Sequence, residues 1–306
     1  MTTSPLSRRG LPGTALLLAA LLIGVLYPAA PTSWAQAAGV RYVSLGDSYT
    51  AGPRYDPVNP CVSHPAAWPR QVAERWGLGG DWADGSCSGA VVDGPEDDVA
   101  GTHLAELERR GALGPRTELV TFQYGGNERY GGAFRTAAWS IGMCLADLAG
   151  GCDTARDPGA VRVEAITTDE LVRRLTRGGS GDMIGRTRAL APNARIALVG
   201  YPTVLPRDMS VCVPVVGSAS IGIQPRAAYA HAVLDRIEEA QRGAAARLGV
   251  DFVSLRAATT GHDLCRPPGE RWITQVGDFH EELLPFHPTR TGYSVHAGVV
   301  TEYRLR

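Results

Sequence analysis

Four short segments of the chain are rich in apolar and β-branched residues, and most of them end at Gly or Pro. They span residues 40–45, 118–124, 195–201 and 250–255. Such runs, with few polar breaks, are typical of strands that are buried on both faces of a sheet. Helical periodicity between and after them predicts helices over residues 64–76, 181–190, 225–248 and 289–303. Strands that alternate with helices predict an α/β fold, in which helices cover both sides of a mostly parallel sheet.

The first residues have the organisation of a secretory signal peptide. Arg8 and Arg9 form a positive region, residues 16–27 are almost entirely apolar, and Ala35-Gln36-Ala37 matches a small-residue cleavage pattern. We therefore assign residues 1–37 to a signal peptide and residues 38–306 to a single domain, and we expect an extracellular protein without a stable membrane span. The alternative is a membrane anchor, for which this run is short compared with the roughly 20 residues of a spanning helix. Both the general secretory and the twin-arginine export routes stay open.

Composition excludes several functional classes. With 44% hydrophobic and 20% charged residues, the chain is neither a disordered nor a fibrous protein. The net charge of -1 gives no electrostatic basis for binding nucleic acid. All 30 basic residues are Arg, which excludes Schiff-base chemistry on a lysine. The six cysteines, in an exported protein, favour disulfides. A zinc site is the rival interpretation, but the chain has no CxxC pair and its histidines are irregularly spaced, so we expect no metal.

Residues suited to nucleophilic catalysis follow the predicted strands. Ser48 comes just after the first strand, and its hydroxyl needs a base within hydrogen-bond reach to become a nucleophile. Asn127 comes after the second strand, and its amide could stabilise an oxyanion. Gly89 lies between them in a loop of small residues, and His287 precedes the last predicted helix. Taken singly, these residues equally fit turns, a helix cap or the surface.

The order of these four residues resembles that of the SGNH hydrolases, which are also called GDSL esterases and lipases. The family takes its name from Ser, Gly, Asn and His in four blocks, which here match Ser48 in GDSYTAG, Gly89 in CSGA, Asn127 in GGNE and His287 in HPT. The resemblance covers residues 41–300. With the signal peptide, the six cysteines and GHDLC at residues 261–265, the chain is similar to the secreted actinobacterial esterases and lipases of this family.

The resemblance implies both a fold and a reaction. The fold is a three-layer α/β/α sandwich with a mostly parallel central sheet, of the flavodoxin-like type. The reaction is hydrolysis of a small-molecule ester or lipid. Ser48 would attack the carbonyl, His287 would take its proton, and the amides of Ser48 and Gly89 with the side chain of Asn127 would form the oxyanion hole. We expect a monomer that needs no cofactor. The alternative is a secreted carbohydrate- or lipid-binding module of this fold with little or no turnover.

Two positions depart from the family pattern. The family often has Asp three residues before the catalytic His, where this chain has Leu284. We hypothesise that the backbone carbonyl of Leu284 orients His287, which would then form a Ser–His dyad. Glu281 and Glu282 are close in sequence but off register, and we read them as surface acids. The third block has Glu128 where the family usually has Asp, and we assign Glu128 no catalytic role.

Two further sets of residues depend on tertiary contacts. Six cysteines allow 15 pairings, and the resemblance implies Cys61–Cys87, Cys144–Cys152 and Cys212–Cys265. Residues 131–159 look like an insertion that shapes the entrance to the site. Aromatic residues near the four blocks could line an acyl pocket or belong to the core: Tyr49, Trp68, Tyr124, Tyr130, Phe134 and Trp139.

Overall fold

The structure, a computed structural model, describes residues 37–52, 56, 58–93, 100–150, 152, 157–208, 210–213, 222–275 and 284–304. Nearly all of the signal peptide assigned from the sequence, as well as Glu281 and Glu282, lies outside the described residues. Within these ranges, no helix is long and apolar enough to cross a membrane.

The described part of the chain contains seven strands. Their bounds are β1 (Tyr42–Gly46), β2 (Trp82–Asp84), β3 (Leu119–Gln123), β4 (Arg195–Val199), β5 (Val211–Val213), β6 (Gly222–Gln224) and β7 (Asp251–Val253). Five of them form one sheet in the order β2-β1-β3-β4-β7, and every neighbouring pair in it is parallel. Strands β5 and β6 form a separate antiparallel pair.

The α-helices of the described residues lie between and after these strands. Their bounds are α1 (Ser48–Ala51), α2 (Trp68–Arg75), α3 (Ala100–Arg109), α4 (Ala137–Ala146), α5 (Thr168–Arg177), α6 (Met183–Leu190), α7 (Ala228–Leu248), α8 (Arg256–Thr259) and α9 (Arg290–Arg304).

The two faces of the sheet are covered by different helices, as the alternation of side chains along β1 shows. Tyr42 packs in a cluster with Trp68 of α2 and Tyr293 of α9. Val43 and Leu45 point to the opposite face, where a larger cluster includes residues of α3, α5, α6 and α7. All five residues of β1 are buried, as expected for a strand inside a parallel sheet. The predicted three-layer α/β/α sandwich is confirmed.

The four strands predicted from the sequence correspond to β1, β3, β4 and β7. Strand β2 was not predicted, because it has only three residues and occupies the edge of the sheet, where Trp82 and Asp84 are partly exposed. The predicted helices correspond to α2, α6, α7 and α9, whereas α3, α4, α5 and the four-residue α8 were missed. For α5 the sequence contained a signal, because Thr167 is followed three residues later by Glu170, which is the pattern of a capping box. In the structure the Thr167 side chain accepts a hydrogen bond from the Glu170 amide.

The strand order decides where the candidate residues meet. Strands β2, β1 and β3 are adjacent and parallel, so their carboxyl ends lie side by side. Ser48 follows β1, Gly89 follows β2 and Asn127 follows β3. In open α/β sheets this edge is where ligands bind.

Candidate active site

Ser48 occupies a tight turn directly after β1. The side chain of Asp47 caps the one-turn helix α1, because its Oδ1 accepts a hydrogen bond from the amide of Tyr49 at 2.9 Å. A Cβ at Gly46 would lie 2.1 Å from Oγ1 of Thr50, so only glycine allows the chain to fold back this closely. Ser48 is 8% exposed, so its hydroxyl is largely shielded from bulk water.

The hydroxyl of Ser48 faces the imidazole of His287. Its Oγ lies 2.6 Å from Nε2, and Nδ1 lies 2.8 Å from the carbonyl oxygen of Pro285. A carbonyl can only accept a hydrogen bond, so Nδ1 carries the proton and Nε2 presents its lone pair to Ser48. Burial lowers the pKa of His287 to about 4, opposed by the hydrogen bond to Pro285. The ring is therefore neutral at pH 7.

The sequence hypothesis that the carbonyl of Leu284 orients this ring is wrong by one residue. The Leu284 carbonyl accepts hydrogen bonds from the hydroxyl of Thr274 at 2.5 Å and from the amide of His287 at 3.3 Å. The second bond closes a turn over residues 284–287, in which Phe286 has a positive φ of 65°. Because the turn uses the Leu284 carbonyl for itself, the next carbonyl, that of Pro285, contacts the ring.

The loop that carries His287 is tied to the rest of the site on two sides. The Thr274 amide donates to the His287 carbonyl at 2.8 Å, and the Phe286 amide donates to the Thr274 carbonyl at 2.9 Å. The Tyr49 hydroxyl donates to the Phe286 carbonyl, and its ring centre lies 4.7 Å from that of His287. The residue next to Ser48 therefore also supports the histidine.

Gly89 and Asn127 lie on neighbouring loops beside Ser48. The Asn127 Nδ2 donates to the carbonyl of Ala90 at 3.4 Å, which joins the two loops. Gly89 has a φ of +84°, a backbone conformation that favours glycine, and it is exposed. The Cys87 amide donates to the Gly46 carbonyl at 3.0 Å, so the Gly89 loop is also anchored at the end of β1.

Comparison with known proteins identifies the family of this chain. Residues 44–295 match the GDSL-like lipase/acylhydrolase family. The chain belongs to this family. Lipase 2 of Streptomyces coelicolor is 29% identical over 293 residues, which cover 94% of both proteins. Membership of the family makes the chain a carboxylic-ester hydrolase, the class of enzyme expected from the four sequence blocks.

Solved structures show the same fold. Phospholipase A1 from Streptomyces albidoflavus has a TM-score of 0.61 at 23% identity, covering 87% of this chain and 99% of that one. The extracellular lipase from Streptomyces rimosus has a TM-score of 0.60 at 23% identity, covering 86% of this chain and 99% of that one. At such identities the likeness extends to the fold and no further.

An apolar cavity of about 110 Å³ opens beside His287 in this hydrolase. Most of its lining side chains come from distant parts of the sequence: Tyr49, Ala138, Ile141, Tyr201, Val204, Leu205, Leu234, Ile237, Pro285 and Phe286. Two wider clefts, of about 530 and 690 Å³, lie against the Cys212–Cys265 disulfide and along α5, and neither includes Ser48 or His287. Of these three, the smaller cavity is the one that adjoins His287.

Of the six aromatic residues considered for an acyl pocket, only Tyr49 lines this cavity. Trp68, Tyr124 and Tyr130 are buried core residues, while Phe134 and Trp139 are 82% and 61% exposed. Sequence reasoning missed Tyr201, Leu205 and Ile237 as lining residues. A signal existed for Tyr201, because it ended the third predicted strand and so lay at the edge of the sheet that carries the site.

Glu128, in the third sequence block of the hydrolase, is buried and makes contacts that hold neighbouring loops together. It accepts a hydrogen bond from the Val92 amide at 2.8 Å and pairs with Arg174 at 3.0 Å. Burial raises the pKa of Glu128 to about 7, while the charge of Arg174 and the Val92 amide act in the opposite direction. These contacts join the Asn127 loop to the segment after Gly89.

The cysteines form the three disulfides that the resemblance implied: Cys61–Cys87, Cys144–Cys152 and Cys212–Cys265. The first links the loop after α1 to the loop that carries Gly89. Within the described residues, one group of potential metal ligands lies close together, formed by Cys61, Cys87 and His103. Both sulfurs of that group are in a disulfide and are not available as thiolate ligands.

Proposed function

We propose that this hydrolase is secreted and that Ser48 and His287 form a catalytic dyad that acts through an acyl-enzyme. The observation that carries the proposal is the 2.6 Å distance between Ser48 Oγ and His287 Nε2, with Nδ1 held by a backbone carbonyl. A serine hydroxyl becomes a nucleophile when a neutral base of this kind lies within hydrogen-bond reach.

The first half-reaction transfers the acyl group to the enzyme. As Ser48 Oγ bonds to the ester carbonyl carbon, its proton moves to Nε2 of His287 and the carbonyl oxygen becomes an oxyanion. When the tetrahedral intermediate collapses, the carbon–oxygen bond to the alcohol breaks and Nε2 returns the proton to that alcohol. Water then repeats both steps on the acyl-enzyme and releases the carboxylic acid.

We assign the oxyanion to three donors: the amides of Ser48 and Gly89 and the Nδ2 of Asn127. The closeness of the three loops at the ends of β1, β2 and β3 supports this assignment. One such donor typically contributes about 10²- to 10³-fold in turnover. The Pro285 carbonyl keeps His287 in the correct tautomer, but it stabilises the imidazolium less than a carboxylate would.

The apolar cavity beside His287 supports an ester with an apolar acyl group as the substrate. Its walls are mainly aliphatic and aromatic side chains, such as Ile141, Leu205 and Ile237. An apolar chain would gain free energy by leaving water for this cavity, at about 25 cal/mol per Å² of buried surface. The cavity therefore argues against the alternative of a carbohydrate-binding module, and the contact between Ser48 and His287 argues against a lipid-binding module without turnover.

Secretion rests on two observations. Residues 1–37 have the pattern of a signal peptide, which leaves residues 38–306 as the catalytic domain. The three disulfides fit an oxidising compartment. We expect the exported enzyme to begin near residue 38 and to be a monomer, which N-terminal sequencing and light scattering would test.

The test of the catalytic assignment is hydrolysis of p-nitrophenyl esters of increasing chain length by the wild type, Ser48→Ala and His287→Ala. Each substitution should reduce turnover by about 10³-fold or more, while the melting temperature changes little. A serine-directed organophosphonate should label Ser48, as read by peptide mass spectrometry. Retention of more than about 5% of turnover in either variant contradicts the dyad, since loss of either member of such a dyad normally removes nearly all of it.

A further inference from the structure

A chain of hydrogen bonds through the buried side chains of Asp47 and Tyr201 connects the Ser48 turn to the loop that carries Asn127. The Tyr201 hydroxyl donates to Oδ2 of Asp47 at 2.5 Å, and the Gly126 amide donates to the Tyr201 hydroxyl oxygen at 2.8 Å. Tyr201 follows β4, two strands away from the strand that ends before Ser48. A residue from a third strand end thus bridges the nucleophile turn and the oxyanion loop, which we define as residues 125–127.

The contact between the oxyanion loop and this bridge is direct. A Cβ built on Gly126 would lie 3.2 Å from the Tyr201 hydroxyl and 3.6 Å from Oδ2 of Asp47. Asp47 is 1% exposed and Tyr201 is 6% exposed, so water competes little for the hydrogen bond between them. The Tyr201 oxygen is therefore in direct contact with Gly126, the residue before Asn127.

The directions of these hydrogen bonds are fixed by the chemistry of each group. The Gly126 amide can only donate, so the Tyr201 proton must point to Asp47. Both Asp47 oxygens already act as acceptors, Oδ1 for the Tyr49 amide and Oδ2 for Tyr201. A proton on Oδ2 would point at the Tyr201 oxygen and leave the Tyr201 proton without its acceptor, and a proton on Oδ1 would compete with the Tyr49 amide. The arrangement is complete only when Asp47 is ionised.

We propose that Tyr201 is a positioning residue, which holds the oxyanion loop against ionised Asp47 and so keeps Asn127 in place to stabilise the oxyanion. This inference rests on the proposed function, because it needs Asn127 as an oxyanion donor. Its consequence is that turnover depends on the ionisation of a carboxyl group that touches neither the substrate nor His287.

The electrostatic surroundings of Asp47 agree with such a dependence. Burial raises the pKa of Asp47 to about 7, and hydrogen bonds from Tyr201 and the Tyr49 amide oppose that rise. Among the described residues, the titratable groups that interact with it are four tyrosines and one carboxyl group, with no cation among them: Tyr49, Tyr124, Tyr201, Tyr293 and Glu128. The pKa of His287 lies near 4. We therefore expect kcat to fall below about pH 7 with Asp47, well before His287 is protonated.

Tyr201→Phe tests the bridge with the smallest change. The phenyl ring keeps its edge contact with Tyr49, at 5.0 Å between centroids, and still lines the cavity. Only the oxygen is lost, which leaves the Gly126 amide and Asp47 Oδ2 without this partner. With p-nitrophenyl butyrate, kcat should fall about 10- to 100-fold, a part of what one oxyanion donor contributes, and KM should stay within about twofold. The acid limb of kcat should move up by about 0.5–1 pH unit, because a lost hydrogen bond raises the pKa of Asp47.

Asp47→Asn provides the complementary pH measurement. An amide cannot titrate, so kcat should be lower than in the wild type but independent of pH down to the region where His287 gains a proton. The matched control is Tyr229→Phe, because Tyr229 is half-buried and its hydroxyl donates to the carbonyl of Val161 at 2.7 Å, outside the site. Its kcat and its pH profile should equal those of the wild type.

Titration of Ser48 with the organophosphonate normalises each kcat to the folded, competent fraction. The inference is overturned if Tyr201→Phe has the kcat and acid limb of the wild type, or if the acid limb persists in Asp47→Asn. In that case hydrolysis by the wild type and its loss in Ser48→Ala still support the proposed function. If the wild type shows no Ser48-dependent hydrolysis, the proposed function fails and the inference falls with it. Should Tyr201→Phe not fold, the pH profile of Asp47→Asn alone decides.

Discussion

Ser48 and His287 are held by two differently built parts of the chain. The nucleophile loop, residues 46–52, leaves the centre of the sheet and is held largely by side chains: Asp47 caps its helix, and the Tyr293 hydroxyl donates to the Ser48 carbonyl at 3.2 Å. The histidine loop, residues 284–289, is irregular and is held mainly through its backbone. Thr274 supplies its amide, carbonyl and hydroxyl to that loop.

This difference explains why the nucleophile loop has a more recognisable sequence motif than the histidine loop. A loop held by side chains needs particular residues, and GDSYTAG is recognisable for that reason. A loop held through backbone groups depends on a turn and on an anchor elsewhere, so HPT is a weaker motif. The carbonyl that contacts His287 belongs to a residue whose side chain does not matter for that contact.

Removing the oxyanion donor of the loop beside Ser48 should have the largest effect. Asn127→Ala should lower kcat by about 10²- to 10³-fold, because the developing charge loses one donor in a water-poor site. Asn193→Ala is the matched control, since its Nδ2 donates to the Pro115 carbonyl on the surface. Steady-state kinetics on p-nitrophenyl butyrate measure both. A fall of less than about tenfold for Asn127→Ala would exclude its side chain from the oxyanion hole.

Removal of two of the disulfides should lower stability by similar amounts but affect activity differently. Cys61–Cys87 closes a loop of 26 residues beside Gly89, and Cys212–Cys265 closes one of 53 residues near the segment that carries Thr274. Chain entropy gives losses of about 3.5 and 4 kcal/mol in unfolding free energy for the two double Cys→Ala variants. Urea unfolding measures these losses. We expect the larger fall in kcat for the Cys61 and Cys87 pair, and the reverse order would contradict the link between that disulfide and the Gly89 loop.

Thr274→Val tests the anchor of the histidine loop. Without the hydroxyl, the Leu284 carbonyl loses its 2.5 Å hydrogen bond and the His287 amide loses one acceptor. Unfolding free energy should fall by about 1–3 kcal/mol, and kcat should fall about tenfold through a looser His287. Thr187→Val is matched, because Thr187 is equally buried and its hydroxyl donates to the Met183 carbonyl within α6. It should lose similar stability in urea unfolding but keep the wild-type kcat, and equal losses of kcat in both variants would make Thr274 merely structural.

The smallest effects are expected from the two acidic residues upstream of His287. Glu281→Gln and Glu282→Gln should each change kcat by less than about tenfold, because the Pro285 carbonyl already sets the tautomer of His287. By comparison, loss of the carboxylate of a catalytic triad costs about 10⁴-fold. The same ester assay measures this. A loss of about 10³-fold in either variant would show that this hydrolase orients His287 with a displaced acid.

The fold class, the family and the order of the candidate residues could be derived from the sequence because they depend on local patterns. Buried parallel strands carry apolar runs, and the chain that follows each run lies at one edge of the sheet. That rule placed Ser48 and Asn127 at the same edge of the sheet before any contact was known. Gly89 was identified by its sequence motif, so its assignment did not depend on predicting β2.

Contacts between distant residues were decided only by the tertiary structure. The Tyr201 bridge, the pairing of Glu128 with Arg174 and the aliphatic walls of the cavity join segments tens to hundreds of residues apart. The choice of Pro285 over Leu284 came from one turn with a positive φ at Phe286, which no residue-type pattern predicted. A sequence pattern specifies which residues are buried and in what order, whereas packing specifies which atoms face each other.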